Sequence, residues 1–139
     1  MIEIKRTIRW SDADPAGIIY YPRLFDYVGE CEWELLHSLG IRWEELKDDY
    51  LMPRVHVECS YKKVLKLGAS FAIRLRPEKL GRTSIKYGFE VFLDDAPGEA
   101  AVYGSVTTVV VRGGKAAEIP AALRAALESM VISEENRSM

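Results

Sequence analysis

The chain has 139 residues, of which 48% are hydrophobic and 29% are charged, and its formal net charge is −2. This length suits one globular domain with a substantial core, and the composition is that of an ordinary folded protein. Because the sequence has neither a basic run nor a long apolar run, we expect no nucleic-acid partner and no membrane span.

The first predicted element is a strand, because residues 2–10 alternate apolar and polar side chains with one break. From Pro22 the spacing of the apolar side chains becomes helical. Pro22 suits the first position of a helix, and Gly40 suits its end. We therefore predict one long helix between them, with Gly29 in its middle marking a close backbone approach.

Period-two patterns dominate the rest of the chain. After a short helix over 42–48, strands are predicted near residues 54–62, 71–75, 85–93 and 100–112. The last strand has apolar or small side chains on both faces, which is typical of a central strand or a subunit interface. A short helix over 120–130 and a frayed tail over 133–139 complete the chain.

The order of these elements predicts the fold class. Four consecutive antiparallel strands must bury one face, and the long helix is the natural element to cover it. We therefore predict a single α+β domain over residues 1–132. In it, a curved antiparallel sheet of five or slightly more strands wraps around one long helix.

The segment from Asp12 to Pro22 carries most of the functional information. It contains two aspartates, a Pro/Gly bend and a helix start without a good self-capping side chain. A carboxylate next to free backbone N–H groups is an arrangement that acyl-transfer chemistry needs. Asp, Pro and Gly are also common turn formers, so the residues by themselves leave an ordinary turn open as the alternative.

In its strand–motif–helix context, this segment resembles the hotdog-fold acyl-CoA thioesterases of the 4-hydroxybenzoyl-CoA thioesterase family, through the run DADPAGIIYYP. The resemblance covers about residues 2–130 and implies the hotdog fold. It also implies hydrolysis of an aromatic or short- to medium-chain acyl-CoA to a carboxylic acid and coenzyme A. Coenzyme A is then part of the substrate, and no further cofactor is expected.

The resemblance also implies roles for individual residues. Asp14 would act as a nucleophile or as a general base for water, and the backbone N–H of Tyr21 would polarise the thioester carbonyl. The residues agree independently, because Pro22 at the first helical position makes Tyr21 a cap residue that cannot satisfy the free N–H groups. The short-chain branch of the family commonly has His at this position. Since Tyr is no base near neutral pH, we favour main-chain donors.

Substrate contacts follow from the same resemblance. The predicted substrate-binding residues are Gly17, Tyr20, Pro22, Arg82, Thr83 and Ser84, the last three as a basic, hydroxyl-bearing segment near the nucleotide. Arg82 alternatively just marks a hairpin, and a second basic candidate consists of Lys62, Lys63 and Lys66. Aromatic side chains for an acyl pocket, or for the core, are Trp10, Tyr20 and Trp33.

Other sites and functions stay open at this point. Some hotdog thioesterases place the carboxylate in the middle of the helix, where Glu30, Glu32 and Glu34 are candidates here. A non-catalytic acyl-CoA-binding hotdog protein would not depend on Asp14. A hotdog hydratase or dehydratase would need a histidine in the site, and residues 11–36 contain none.

The sequence also bears on metal binding, cellular location and assembly. The histidines and cysteines lack the spacing of metal ligands, so we expect no metal and inert thiols at Cys31 and Cys59. The N-terminal residues lack the apolar core of a signal peptide, which favours a cytoplasmic protein. The resemblance implies a homodimer or homotetramer with active sites between subunits and an acyl-CoA as the small-molecule partner.

Overall fold

A computed structural model of the chain describes the backbone of residues 1–138 and the side chains of residues 1–131. The main strands are β1 (Ile2–Thr7), β2 (Arg54–Tyr61), β3 (Ser70–Leu80), β4 (Ser84–Leu93) and β5 (Val102–Val109). The helices are α1 (Leu24–Ser38), α2 (Trp43–Leu46) and α3 (Ala121–Ser138), and short 3-10 turns cover Trp10–Asp12 and Tyr21–Arg23.

The strands form one five-stranded antiparallel sheet in the order β1-β3-β4-β5-β2. Helix α1 packs against β3 and β1, and α3 also packs against β3. The predicted α+β class, with a five-stranded sheet around a long helix, is therefore confirmed. None of the helices in the described part of the chain has the length and apolar character needed to cross a bilayer.

The core forms because α1 and the inner face of the sheet both present apolar stripes. The α1 side chains that recur at helical spacing and are fully buried are Leu24, Val28, Cys31 and Leu35. They join alternate side chains of β3, which are Phe71, Ile73 and Leu75, in one continuous cluster. Full burial of each such side chain stabilises the fold by roughly 1.5–3 kcal/mol.

The ends of α1 differ slightly from the prediction. Pro22 lies in a 3-10 turn, and the α-helix itself begins only at Leu24. The helix ends close to the predicted place, because Gly40 adopts a φ of +76° and its N–H bonds back to the carbonyl of His37. The short helix α2 lies within the predicted range.

The C-terminal part departs more from the prediction. The strand predicted over 100–112 ends at Val109, and Val111–Arg112 forms a small hairpin, β6, with Lys115–Ala116, β7. Gly113 and Gly114 both adopt positive φ angles, which a tight hairpin turn requires. Helix α3 runs on to Ser138 instead of ending near 130. The side chains of the predicted frayed tail, 133–139, lie outside the described residues.

The register of the sheet defines two ends. At one end, which we call the motif end, the adjoining residues are Thr7, Ser70, Leu93, Val102 and Tyr61. At the opposite, far end lie Leu80, Ile85, Val109 and Arg54. The chain leaves β1 at the motif end, so the segment after Thr7 is built there.

Strand β5 is internal, as its apolar faces predict, whereas β2 is an edge strand. Its apolar residues Val55, Val57 and Tyr61 are exposed. An exposed edge with apolar side chains is a surface that folded proteins normally cover.

Candidate active site

The loop that carries Asp14 is held by backbone hydrogen bonds. Ala13 and Ile19 form a β-bridge, and the N–H of Asp14 donates to the carbonyl of Ile18 at 2.8 Å. The N–H of Gly17 donates to the carbonyl of Asp14 at 3.0 Å, with Gly17 at a φ of +78° that favours glycine. The chain therefore turns back on itself directly after Asp14.

The Asp14 side chain is half-buried and is fixed through one oxygen. Its Oδ1 accepts a hydrogen bond from the N–H of Ala16 at 2.8 Å. Within the described part of the chain, no donor bonds to its Oδ2. One oxygen is thus oriented by the loop, and the other is open to a ligand.

Asp14 lines a surface cavity of about 300 Å³. Its other walls are Trp10, Ala13, Pro15, Gly17 and Leu67. The indole of Trp10 is 85% exposed, which is unusual for so large an apolar side chain. A carboxylate in a mainly apolar surface cavity is a suitable place for an apolar ligand with one reactive group.

Sequence reasoning missed the role of Asp12, which is 1% exposed. Its Oδ2 accepts hydrogen bonds from the N–H of Arg9 at 2.9 Å and from the hydroxyl of Tyr27, and its Oδ1 lies 3.3 Å from Nη2 of Arg23. Burial alone would raise the pKa of Asp12. The hydrogen bonds from Tyr27 and Arg9, together with the charge of Arg9, hold that pKa below its usual value.

This network connects the loop to α1. Tyr27 and Arg23 come from the helix and the turn before it, and the carbonyl of Asp12 accepts the N–H of Tyr20 at 2.8 Å. Asp12 therefore anchors the motif to the start of α1. Because the burial of Asp12 depends on partners distant in sequence, the spacing of the two aspartates could not predict this structural role.

The start of the helix leaves an N–H group available at Tyr21. The preceding residue, Tyr20, makes no side-chain cap. No acceptor among residues 1–131 takes the N–H of Tyr21, whereas its carbonyl accepts the hydroxyl of Tyr61 at 2.5 Å. An unsatisfied N–H at the positive end of a helix suits a developing oxyanion.

The predicted site residues do not all share one cavity. Gly17 lies with Asp14, but Tyr20, Tyr21 and Pro22 lie on the other side of the Ala13–Ile19 bridge and do not line the Asp14 cavity. Both tyrosine rings are exposed and meet edge to face, with 5.6 Å between their centroids. Together they form an aromatic surface next to the free N–H.

Arg82 and Thr83 lie at the far end of the sheet, between β3 and β4, and Ser84 is the first residue of β4. Since a strand rises about 3.3 Å per residue, β3 separates this segment from the motif end by roughly 33 Å. Arg82 is 3.6 Å from Glu118 and borders a different cavity, which Arg124 also lines. In one protomer these residues and Asp14 form separate sites, so their predicted nucleotide contact requires a second copy.

The second basic candidate lies at the motif end. Lys66 forms a β-bridge with Ile18, inside the motif itself. Lys62 lies over the ring of Tyr103 at 5.9 Å from its centroid, and Lys63 is 3.9 Å from Glu99. Of these three lysines, Lys66 is the one that the bridge to Ile18 places beside the Asp14 loop.

The alternative carboxylates of α1 have different surroundings. Glu30 accepts a hydrogen bond from Arg6 at 3.0 Å, and Glu34 is exposed. Glu32 is buried and accepts a hydrogen bond from Arg54 at 2.5 Å. Of these carboxylates, Glu32 alone lines a described cavity, which lies away from Asp14.

The histidines and cysteines do not contribute to the Asp14 cavity. His37 packs on Trp33 at the end of α1, and His56 lies 3.6 Å from Glu58 on β2. Cys31 is buried, and burial raises the pKa of its thiol to about 12. Across the described residues, no group of His, Cys, Asp or Glu is arranged to hold a metal ion.

Comparison with known protein families gives a match over most of the chain. The model described as the thioesterase-like superfamily matches residues 8–127. A 1,4-dihydroxy-2-naphthoyl-CoA hydrolase from Prochlorococcus marinus (strain MIT 9313) is 28% identical over 96 residues, covering 63% of this chain and 64% of that protein. The match thus spans slightly less than two thirds of that relative's length.

Solved structures share the architecture. A hypothetical protein from Aquifex aeolicus has a TM-score of 0.84 and 25% identity, covering 91% of this chain and 99% of its own. A 1,4-dihydroxy-2-naphthoyl-CoA thioesterase from Synechocystis has a TM-score of 0.84 and 16% identity, covering 92% of this chain and 96% of its own. These likenesses extend over nearly the whole sheet and its helix.

Proposed function

Because the chain belongs to the thioesterase-like superfamily and has the hotdog fold, we propose that it hydrolyses an aromatic acyl-CoA to a carboxylic acid and coenzyme A. The observation that carries this proposal is the Asp14 carboxylate, which lines an apolar cavity and has one oxygen free of protein donors. The aromatic preference is supported by the relatives named for 1,4-dihydroxy-2-naphthoyl-CoA. The narrower 4-hydroxybenzoyl-CoA thioesterase family stays a prediction.

In the proposed reaction, Asp14 acts on the thioester carbonyl carbon in one of two ways. As a nucleophile it forms an acyl anhydride, the C–S bond breaks, and water then hydrolyses the anhydride. As a general base it removes a proton from the water that attacks the carbonyl. Both routes consume one water and release the acid and the thiol of coenzyme A, with no further cofactor.

The protein supplies stabilisation for the oxyanion through the backbone. The N–H of Tyr21 donates to the thioester oxygen, and the dipole of the following helix adds to the effect. Loss of one such donor typically costs about 3 kcal/mol in the transition state. The leaving thiolate has an ordinary thiol pKa of about 8.5, so it departs without a strong general acid.

The test of this proposal is Asp14→Asn, which keeps the shape of the side chain and removes its charge. We expect kcat to fall at least about 100-fold, equivalent to about 2.7 kcal/mol. Release of the thiol is measured on aromatic, short-chain and long-chain acyl-CoAs, with circular dichroism as the check on folding. The control is Asp95→Asn in the exposed loop after β4, which should retain wild-type turnover.

Each alternative has its own outcome in this experiment. Wild-type turnover that survives in Asp14→Asn would remove Asp14 from the mechanism. Binding of acyl-CoA without turnover of any thioester would favour a non-catalytic acyl-CoA-binding protein. A hydratase is disfavoured because neither His37 nor His56, within the described chain, lines the Asp14 cavity.

The same proposal includes a pair of copies joined through β2. Antiparallel pairing of two β2 edges centred near Val57 places Val57 of one copy opposite Val57 of the other. The same pairing sets His56 of each copy beside Glu58 of the other. An imidazole that faces a carboxylate across a strand pair can share a hydrogen bond with it, which favours such a pairing. Because β2 runs from the far end to the motif end, this pairing sets the far end of one protomer beside the motif end of its partner.

A further inference from the structure

A side chain from the edge strand of the sheet reaches the backbone at the start of the helix. Tyr61 is the last residue of β2, and its hydroxyl donates to the carbonyl of Tyr21 at 2.5 Å. The two residues lie 40 positions apart along the chain. Among residues 1–131, Tyr61 is the only side chain found to hydrogen-bond to the backbone of residues 20–22. This contact therefore joins the helix start to the sheet.

Tyr21 is not held in place by burial of its own side chain. Its ring is 66% exposed and meets the ring of Tyr20, which is 52% exposed. An exposed ring removes little apolar surface from water, so it stabilises one backbone position only weakly. The position of Tyr21 therefore depends on the hydrogen bonds of its backbone.

These hydrogen bonds lie on both sides of Tyr21. The carbonyl of Tyr20 accepts the N–H of Arg23 at 2.8 Å, and because a peptide unit is planar, this bond also orients the N–H of Tyr21. The carbonyl of Tyr21 accepts the N–H of Leu24 and the hydroxyl of Tyr61. The two N–H donors belong to the 3-10 turn and the residue that follows it, and helix ends fray. Tyr61 supplies the bond that comes from outside the turn.

Tyr61 is suited to act as a lasting donor. Its partial burial raises its pKa, and the neighbouring thiol of Cys59 adds to that rise. The hydroxyl therefore keeps its proton at neutral pH and remains a donor. Tyr61 also pairs with Val102 in the register of β2 and β5, so the donor is carried by a strand of the sheet and not by a loop.

We infer that Tyr61 is a positioning residue for the oxyanion donor, because its hydroxyl holds the backbone of Tyr21 and thereby the direction of the free N–H. The inference rests on the proposed function, in which this N–H donates to the thioester oxygen. A hydrogen bond weakens steeply as its angle departs from linearity, so a small rotation at Tyr21 weakens the stabilisation. Such a loss occurs in the transition state and leaves substrate binding largely intact.

The experiment uses Tyr61→Phe, which removes the hydroxyl and keeps the ring. Values of kcat and KM are measured for benzoyl-CoA and for 4-nitrobenzoyl-CoA. The nitro group withdraws electrons and stabilises the oxyanion by itself, so its thioester depends less on the donor. The control is Tyr103→Phe on the neighbouring strand β5, where the residue is 44% exposed. Within residues 1–131, no hydrogen bond of the Tyr103 hydroxyl is found.

We expect Tyr61→Phe to lower kcat for benzoyl-CoA about tenfold and to change KM by less than about twofold. The ratio of kcat for 4-nitrobenzoyl-CoA to kcat for benzoyl-CoA should rise about threefold. A smaller fraction of folded protein would lower both kcat values equally, so the ratio distinguishes positioning from stability. Tyr103→Phe should keep the wild-type values. An unchanged ratio in Tyr61→Phe would overturn the inference.

A second measurement does not depend on turnover. The heteronuclear NOE of the Tyr21 amide reports the rigidity of the backbone at this residue. The NOE should fall in Tyr61→Phe and stay the same in Tyr103→Phe, and an unchanged NOE in Tyr61→Phe would contradict the inference. If the wild-type protein hydrolyses no thioester, the proposed function fails. A fall in the NOE would then still support Tyr61 as the residue that holds Tyr21.

Discussion

At the scale of single residues, Asp12 and Asp14 show how the fold separates two identical side chains. Asp12 is enclosed by donors from Arg9, Tyr27 and Arg23, and all of its accepting capacity is directed into the protein. Asp14 receives one hydrogen bond from its own loop and borders a cavity. The first aspartate is suited to holding the motif in place, and the second to reacting with a ligand.

Asp12→Asn should lower the free energy of unfolding by about 2 kcal/mol at neutral pH, because charged hydrogen bonds lose their acceptor charge. The folded-state pKa of Asp12 is lowered, so its stabilising effect is fully present above the unfolded value of about 3.9. It is lost as the pH falls through the folded pKa. Urea unfolding should therefore show the full difference from wild type near pH 7 and a smaller one near pH 3.

The control for this variant is Asp26→Asn. Asp26 is exposed and also pairs with Arg23, at 3.1 Å, but in contact with solvent. An exposed pair contributes about 0–1 kcal/mol, so the control should differ little from wild type. A destabilisation by Asp12→Asn that does not change with pH would show that packing, and not charge, explains the effect.

At the scale of elements, α1 combines a buried stripe with one weak position. Glycine in the middle of a helix costs about 1 kcal/mol relative to alanine. Gly29→Ala should therefore raise the free energy of unfolding by up to about 1 kcal/mol, because its Cβ meets Arg54 at an ordinary 3.6 Å. Urea unfolding measures the change in stability, and a loss of stability in Gly29→Ala would contradict the prediction.

A contrasting glycine lies on β5. A Cβ at Gly104 would clash with the carbonyl oxygen of Glu58 on the neighbouring strand. Backbone atoms cannot move aside as a flexible side chain can, so Gly104→Ala should destabilise the protein. The changes in the free energy of unfolding should therefore have opposite signs at Gly29 and Gly104. This contrast distinguishes an effect of helix propensity from an effect of a steric clash.

The long helix and the strands were predictable because their apolar side chains repeat with a clear period. The close backbone approach predicted at Gly29 is wrong, because only the side chain of Arg54 comes near it, at an ordinary contact distance. What the sequence did not reveal depends on distant contacts. The burial of Asp12 requires Tyr27 from the helix, and the hairpin of β6 and β7 uses Gly113 and Gly114 where only a strand end was expected.

The location of the predicted nucleotide segment shows the same dependence. Arg82 and Asp14 are far apart along the chain, and they lie at opposite ends of the sheet of one protomer. The reason is that β3 carries the chain away from the motif end. Spacing in one sequence contains no information on a second copy. The roles predicted for Asp14, Tyr21 and Arg82 therefore stay predictions.

At the scale of the whole molecule, the sheet has two unequal edges. Edge strand β1 presents charged and polar side chains such as Glu3 and Lys5, whereas β2 presents exposed Val55 and Val57. Apolar edges promote pairing with another strand, and charged side chains on an edge oppose it. The proposed pairing of two copies therefore belongs to β2.

Val57→Lys should convert the proposed dimer to a monomer, because two lysines would face each other at the centre of the paired edges. Light scattering after size-exclusion chromatography measures the mass, and thiol release measures the accompanying loss of turnover. Thr7→Lys on the other edge strand is the control and should keep the assembly. A Val57→Lys protein with unchanged mass would place the interface elsewhere.

The loop around Asp14 has a consequence for how the protein can change over time. Its shape depends on main-chain bonds, among them Leu67 N–H to Gly17 and Ile19 N–H to Leu65. The side chains of Pro15, Ala16 and Ile18 make none of these bonds. Because Pro15 also lines the cavity, mutations at this position can reshape its mouth while the carboxylate keeps its position. Ligand preference can therefore diverge between descendants of one ancestor while the reactive group is inherited unchanged.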